Sequence, residues 1–296
     1  MTENFEAKKN SFKKPPQLSK EDWIAKKKAE RDAAYNLIDD AIKEITTSPE
    51  SFKVYLDTQS RMDRYSASNA LLIYKQLPEA SQLKDFSGWA EEKVSIKKGA
   101  KSISIFEPSE FTKSDGSTGI SYNVKKMFDV TQTKNGKQKA APTENKNPKK
   151  LVAAMLDTSP VAFEAVDELP FPDNAALYDN TRQKLYVKRD VGNSTSLCQA
   201  VAEELSHAQL SCDSNSYSRE KNAFNAVCVG YMLCSKFGVD TDTFAIDRIP
   251  DEWKAKEPKE IRSELSKIRT AMSEVYSRVS DELYRKSQEQ HRDHER

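Results

Sequence analysis

From Ser19 to Tyr74 the apolar positions of the chain recur at helical spacing. Trp23, Ala34, Leu37, Ile38, Ile42 and Ile45 fall on roughly one face of a helix capped by Ser19, with Asp22 three residues on. A second helix from about Pro49 carries Phe52, Tyr55, Leu56 and Met62, and a third carries Ala70 to Tyr74 and stops before Pro78. After Trp89, a residue expected in the core, the period changes. Val94 and Ile96, then Ile103 and Ile105, alternate with polar residues around Lys97-Lys98-Gly99, predicting strand, turn, strand. Asp115-Gly116 and Gly119 mark another turn, and Ile120 to Val130 the next strand.

Residues 134–150 are almost devoid of large apolar side chains and read as a linker. Beyond them a helix is predicted over Leu151–Leu156. A hairpin follows over Ala175–Val187, with apolar runs on either side of Asp179-Asn180. Helices are then predicted over Ser194–Ser211 and Lys221–Phe237, the latter ended by Gly238. Ile261, Leu265, Ile268, Met272, Val275, Val279 and Leu283 alternate spacings of four and three, the mark of a long amphipathic helix. That helix packs on its own domain or forms a coiled-coil contact. The charged tail after Ser287 is expected to fray, and residues 1–18 to be a disordered lead.

Composition adds bounds to this picture. With 37% hydrophobic and 31% charged residues in 296, folded units flanked by solvated segments are expected. The net charge of +1 conceals an asymmetry. Lys and Arg exceed Asp and Glu before residue 150 and fall short of them after it, so the first half is the candidate for a polyanionic partner. No apolar run is long enough for a membrane span, and the first residues lack the apolar core of a secretory signal. Cys198, Cys212, Cys228 and Cys234 have no CxxC spacing, which fits buried thiols in a reducing cytoplasm. The eight glycines include neither a P-loop nor a G-x-G pair, so no nucleotide is expected.

The chemistry concentrates in Glu203-Glu204-Leu205-Ser206-His207. Glu203 and His207, four apart, project from one helix face with Glu204 beside them. This is the layout of an HExxH zinc helix with glutamate in place of the first histidine. The other two of the three histidines, His291 and His294, lie in the tail. Three readings stand open. The residues are ordinary polar positions of a relic scaffold, or Glu203 and His207 hold a metal with a third donor such as Asp213 or Glu220. Otherwise His207 serves as base to a cysteine nucleophile, Cys198 or Cys212.

Four blocks in the first half carry a family resemblance: Ser68 to Ile73, Phe86 to Trp89, Ile96 to Ile103 and Phe128 to Thr133. In the second half it rests on Leu177 to Asp179, Leu185 to Val187, Ala202 to Ala208 and Tyr231 to Thr241. Over residues ~20–285 the chain resembles the ArdC-type antirestriction proteins and the LtrC-like proteins of conjugative plasmids and transposons. That resemblance implies an α+β chain with N-terminal helices and a small antiparallel sheet. A linker and a zincin-like, mostly helical domain with a hairpin and a long C-terminal helix would follow. The expected divisions are 1–18, a 19–133 single-stranded-DNA-binding domain, the 134–150 linker, a 151–250 metallopeptidase-like domain, and a 251–296 helix and tail.

Carried over by residue, the family's catalytic glutamate corresponds to Glu204 and its second metal histidine to His207. Glu203 replaces the first histidine, and Val227, with Asn225 nearby, stands where the third ligand, a glutamate, belongs. The implied protein is a single-stranded-DNA-binding accessory protein of a mobile element, protecting incoming DNA or modulating restriction. No cofactor is expected; zinc would be the metal if the altered site keeps one. A metallopeptidase with a Glu/His site and a non-catalytic module binding a host restriction or other protein are the alternatives. For DNA, Lys97, Lys98, Lys101, Lys113, Lys125 and Lys126 are the candidate phosphate contacts. Phe106, Phe111 and Tyr122 are the candidate stacking faces.

Overall fold

A computed structural model describes residues 19–294, except 114, 138–143, 146 and 215 and the side chains beyond residue 290; the expected disordered lead at 1–18 lies outside them. Three helices open the described chain: α1 (Lys20–Thr47), α2 (Pro49–Arg61) and α3 (Ala67–Gln76). Each begins at a serine whose hydroxyl accepts from a first-turn amide, Ser19 from Asp22, Ser48 from Ser51 and Ser66 from Asn69. A side chain thus meets an N–H that has no partner within the helix. Next come β1 (Leu83–Lys84), α4 (Phe86–Glu91), β2 (Ile103–Thr112) and β3 (Thr118–Asp129), with the strands in the antiparallel order β1-β3-β2. Trp89 is buried on α4 and donates through Nε1 to the Phe128 carbonyl at 2.9 Å.

The strand expected at Val94–Ile96 does not form. Lys93 and Gly99, with φ of 59° and 83°, bend the chain on either side, and Ile96 keeps a single bridge to Thr133. β2 pairs with β3 instead, from Ile103↔Met127 to Thr112↔Thr118. The outer edge of β2 is closed by side chains of α3. Asn69 Nδ2 donates to the Phe106 carbonyl (2.9 Å) and its Oδ1 accepts from the Phe106 amide (2.7 Å). Gln76, seven residues on and therefore on the same helix face, does the same at Ser104 (3.0 and 2.8 Å). Further along the edge, Pro108 has no N–H to leave unpaired.

A carboxylate fastens the far end of this unit. Asp129 is fully buried; its Oδ1 accepts from the amides of Ser81 (2.7 Å) and Gln82 (2.9 Å), and its Oδ2 from the Thr131 amide (2.8 Å) and hydroxyl (2.7 Å). Gln132 closes the single 3₁₀ turn that follows, accepting from the Asp129 amide and donating to the Lys101 carbonyl.

The second half contains α5 (Pro148–Asp157), β4 (Ala162–Val166), β5 (Ala176–Asp179) and β6 (Lys184–Lys188). It continues with α6 (Ser194–Cys212), α7 (Arg219–Lys236), α8 (Asp251–Lys254) and α9 (Pro258–His294). The expected hairpin is β5–β6. β4 adds parallel to β6, an element hidden in the sequence because its side chains are exposed and do not alternate. α5 starts three residues earlier than expected because Asn147 caps it and Pro148 takes its first position. The tail expected to fray after Ser287 stays helical to His294, with Arg285 paired to Glu282 and Glu289.

The apolar stripe of α9, from Ile261 through Met272 to Val279, is buried within the chain. One core runs through both halves, from Ile38, Phe52 and Leu71 to Met155, Leu205, Met232 and Leu265. At its centre Phe52, Phe224 and Trp253 pack with ring centroids 5.0–5.6 Å apart. Polar contacts reinforce the junction: the Tyr231 hydroxyl donates to Asp57 (3.0 Å), and Lys236 pairs with Asp63 (2.9 Å). The expected divisions at 134–150 and 250 thus mark stretches of sequence, while the packing is shared. No helix among the described residues is long and apolar enough to cross a membrane.

Candidate functional site

α6 sets Glu203, Glu204 and His207 against α7 and β5. The approach is close because Gly230 faces α6: a Cβ there would lie 3.2 Å from the Glu203 backbone and 2.9 Å from the Phe244 ring. Glu204 is 5% exposed and both its oxygens are occupied. Oε2 accepts from the Tyr178 amide of β5 (2.7 Å) and from Arg219 Nη1 (2.8 Å), and Oε1 from Arg219 Nη2 (2.5 Å). Glu204 is therefore a bidentate partner of an arginine. That hydrogen bonding raises the Arg219 pKa further.

His207 is buried, with Nδ1 2.6 Å from the Tyr217 hydroxyl and the two rings edge to face. Burial, with the positive Arg219 nearby, pushes its pKa down to about 3, so the imidazole is neutral. Glu203 is half-buried, and burial together with the charge of Glu204 raises its carboxyl above the usual range.

The other candidates do not converge on this group. Asp213 accepts from Gln209 Nε2 (3.0 Å), and Glu220 is exposed. Val227 is half-buried and apolar; Asn225 is buried and donates to Glu264 (2.9 Å), leaving its Oδ1 unpaired. Cys198 is buried and Cys212 exposed, and the hydrogen bond of His207 goes to Tyr217 rather than to either thiol. Among the described residues no three His, Cys, Asp or Glu side chains are placed to hold a metal ion. The donor set does not fit zinc, since Glu203 and His207 are joined by no third donor: Val227 is apolar, and Asp213 and Glu220 lie elsewhere.

The neutral, buried His207 has a measurable consequence. In the unfolded chain its imidazole takes a proton near the ordinary 6.5; in the folded chain it does so only near 3. Between those values the unfolded state binds more protons, so stability falls as pH falls, by up to about 1.4 kcal/mol per unit. Urea unfolding of wild type and His207→Gln from pH 7 to pH 4 is expected to show this slope in wild type and its loss in the variant. Parallel curves would refute the assignment.

The N-terminal unit carries a different kind of site. A cleft of about 640 Å³ opens between α1, the start of α3 and the β2–β3 sheet. Tyr35, Tyr65 and Tyr122 line it with Arg64, Asn69 and Lys125. Tyr122 is 50% exposed, and Arg64 is exposed with no hydrogen bond or ion pair among the described residues. Phe106 is not a free face as the sequence suggested: it is buried, its ring 4.8 Å from that of Tyr35. It lies inward because residue 106 is where Asn69 holds the strand edge. Lys125 is neutralised by Glu107 (2.6 Å) and Asp85 (3.2 Å), Glu107 being the larger cause of its raised pKa.

Of the remaining candidates, Lys97 donates to the Thr131 carbonyl (2.7 Å) and Lys126 to the Ser104 hydroxyl (2.7 Å). Lys98, Lys101 and Lys113 are exposed and outside the cleft lining, and Phe111 lies over Gly119 near the hairpin end. Sequence reading missed Tyr35, Arg64, Tyr65, Tyr217 and Arg219. Two signals were present. Arg64-Tyr65 puts a cation and an aromatic together just before the Ser66 cap. Arg219 puts a positive charge in the first turn of a helix, where the dipole disfavours it.

Fold and sites together define an α+β protein: an aromatic, cation-bearing N-terminal unit on a mostly helical half in which Glu203, Glu204 and His207 share one helix. Residues 28–155 match the family described as the N-terminal domain of anti-restriction factor ArdC, and over that stretch the chain resembles the ArdC type. Two crystal structures of the antirestriction protein ArdC from plasmid R388 share the fold. The metal-free one has a TM-score of 0.52 at 16% identity, over 75% of this chain and 86% of that one. The Mn(II)-bound one has a TM-score of 0.56 at 14% identity, over 81% and 97%. Comparison with curated proteins gives no match.

Proposed function

We propose that this protein is a single-stranded-DNA-binding, antirestriction-like accessory protein of a conjugative plasmid or transposon, and that its metallopeptidase-like half is not a peptidase. The observation that carries the reading is the N-terminal cleft. Sequence-tolerant binding of a single strand needs aromatic faces for bases and cations for phosphates. Tyr35, Tyr65 and Tyr122 offer the first and Arg64, unpaired among the described residues, the second. The family match over residues 28–155 supports placing the activity in this unit. Glu203, Glu204 and His207 offer no comparable support for hydrolysis, because the base is held by Arg219.

Fluorescence anisotropy of the full chain with a labelled oligonucleotide tests the reading. Binding that weakens with salt is expected, and Tyr122→Ala should weaken it about tenfold, the stacking of one base being worth about 1–3 kcal/mol. Arg64→Ala should weaken it across sequences and lower the salt slope by about one. No binding at low salt would refute the DNA reading; binding unchanged in both variants would place it on another surface.

A further inference from the structure

In the mismatch between the zincin helix and its donors, Arg219 is the residue that the metal reading leaves unexplained. It stands at the first position of α7, at the positive end of the helix dipole, where a cation is disfavoured unless an anion compensates it. Its guanidinium spans the two oxygens of Glu204, and Nη1 also lies 3.4 Å from the Tyr178 carbonyl. Tyr178 in turn donates its amide to the same carboxylate. Three elements, the middle of α6, the start of α7 and β5, are thus tied at one point through a cation and a carboxylate. Arg219 keeps 41% of its side chain exposed while Glu204 keeps 7%, so the guanidinium lies between the carboxylate and solvent.

We propose that Arg219 is the built-in cation of this site: it takes over the cross-linking of α6, α7 and β5 that a divalent metal would supply, and the site binds no metal ion. A metal ion joins chain segments by sharing its charge among donors on each of them. Here the charge arrives on a side chain, and its fixed fork matches a carboxylate in a way no single point charge does. The same contact occupies both oxygens of Glu204, so neither is left for a metal ion or for a water molecule. The inference does not depend on DNA binding.

Thermal unfolding of the full chain, with EDTA, Mn²⁺ or Zn²⁺, provides the test. A metal site filled at about 100 times its Kd would raise the midpoint by several degrees. The wild-type midpoint is expected to stay within about 1 °C under all three conditions. Arg219→Gln should lower it by about 6 °C or more, because a buried carboxylate loses its counter-charge. Glu204→Gln combined with Arg219→Gln should recover at least half of that loss, since no lone charge remains, whereas a merely steric role for Arg219 would make the two losses add. Arg219→Lys, which keeps the charge and loses the fork, should fall between. If Arg219→Gln does not fold, recovery of folding in the double variant carries the same meaning. A midpoint lowered by EDTA or raised by either metal in wild type overturns the proposal. So do additive losses in the double variant.

Discussion

Asp129→Ala is expected to destabilise the protein by at least about 3 kcal/mol, seen as a lower urea midpoint with little change in slope. The carboxylate is fully buried and accepts four hydrogen bonds. Those donors belong to two separate stretches, Ser81-Gln82 and Thr131, so the side chain pins the entry to β1 against the exit from β3. Bonds to a charged acceptor are worth more than neutral ones, and each buried amide left without a partner costs about 1–3 kcal/mol. Asp129→Asn is the informative control. It keeps the shape but turns one acceptor into a donor facing other donors, so it should recover little. A variant within about 0.5 kcal/mol of wild type, the range of ordinary surface changes, would mean that water replaces these contacts.

Gly230→Val is expected to cost about 2–3 kcal/mol, by overpacking rather than by loss of a contact. The first added carbon already meets the Phe244 ring at 2.9 Å and the Glu203 backbone at 3.2 Å, and two further methyls have no space beyond it. Helix propensity favours alanine over glycine by about 1 kcal/mol and valine by less, so the steric term must exceed that gain to set the sign. Gly230→Ala, with one methyl and the full propensity gain, should lie between wild type and the valine variant. Glycine here works by close approach, since it sits in the middle of a helix with no need of a left-handed backbone. An alanine variant more stable than wild type would show that α6 and α7 can separate freely at this crossing.

Much of the fold was legible because it is local. The cap at Ser19, the proline start of α2, the β5–β6 hairpin around Asp179-Asn180, and the end of α7 at Gly238 each depend on residues within a few positions of one another. Pairing at a distance was not legible. Val94 and Ile96 alternate as a strand should, but nothing local reports that β2 takes β3 as partner while α3 closes the other edge. The block Phe128 to Thr133 served as a family marker, and only the structure gives its physical reason, the four bonds of Asp129.

The candidate sites divide in the same way. Glu203, Glu204 and His207 were found by their spacing on one helix, and the missing donors were visible as residue types. That a cation would come from fifteen residues further on was not, because Arg219 reaches Glu204 only through the turn between α6 and α7. In the N-terminal unit, counting lysines favoured the most numerous cations. Lys97, Lys125 and Lys126 already hold a carbonyl, carboxylates and a hydroxyl, whereas Arg64 has no hydrogen bond or ion pair among the described residues.

The shared core bears on what can be lost from this chain. α2 rests on α7, and α1 and α3 rest on α9, so the last third of the protein is the foundation on which the first third stands. A residue such as Met232 or Trp253 therefore answers to the whole molecule, while Glu203 and Val227 are half-buried at its margin, Val227 packed against the same core. Size-conserving substitutions at those two positions leave the foundation standing. A deletion of α6 to α9 would not, for it would strip Phe52 and its neighbours of their cover and leave the N-terminal cleft on a fragment without a floor.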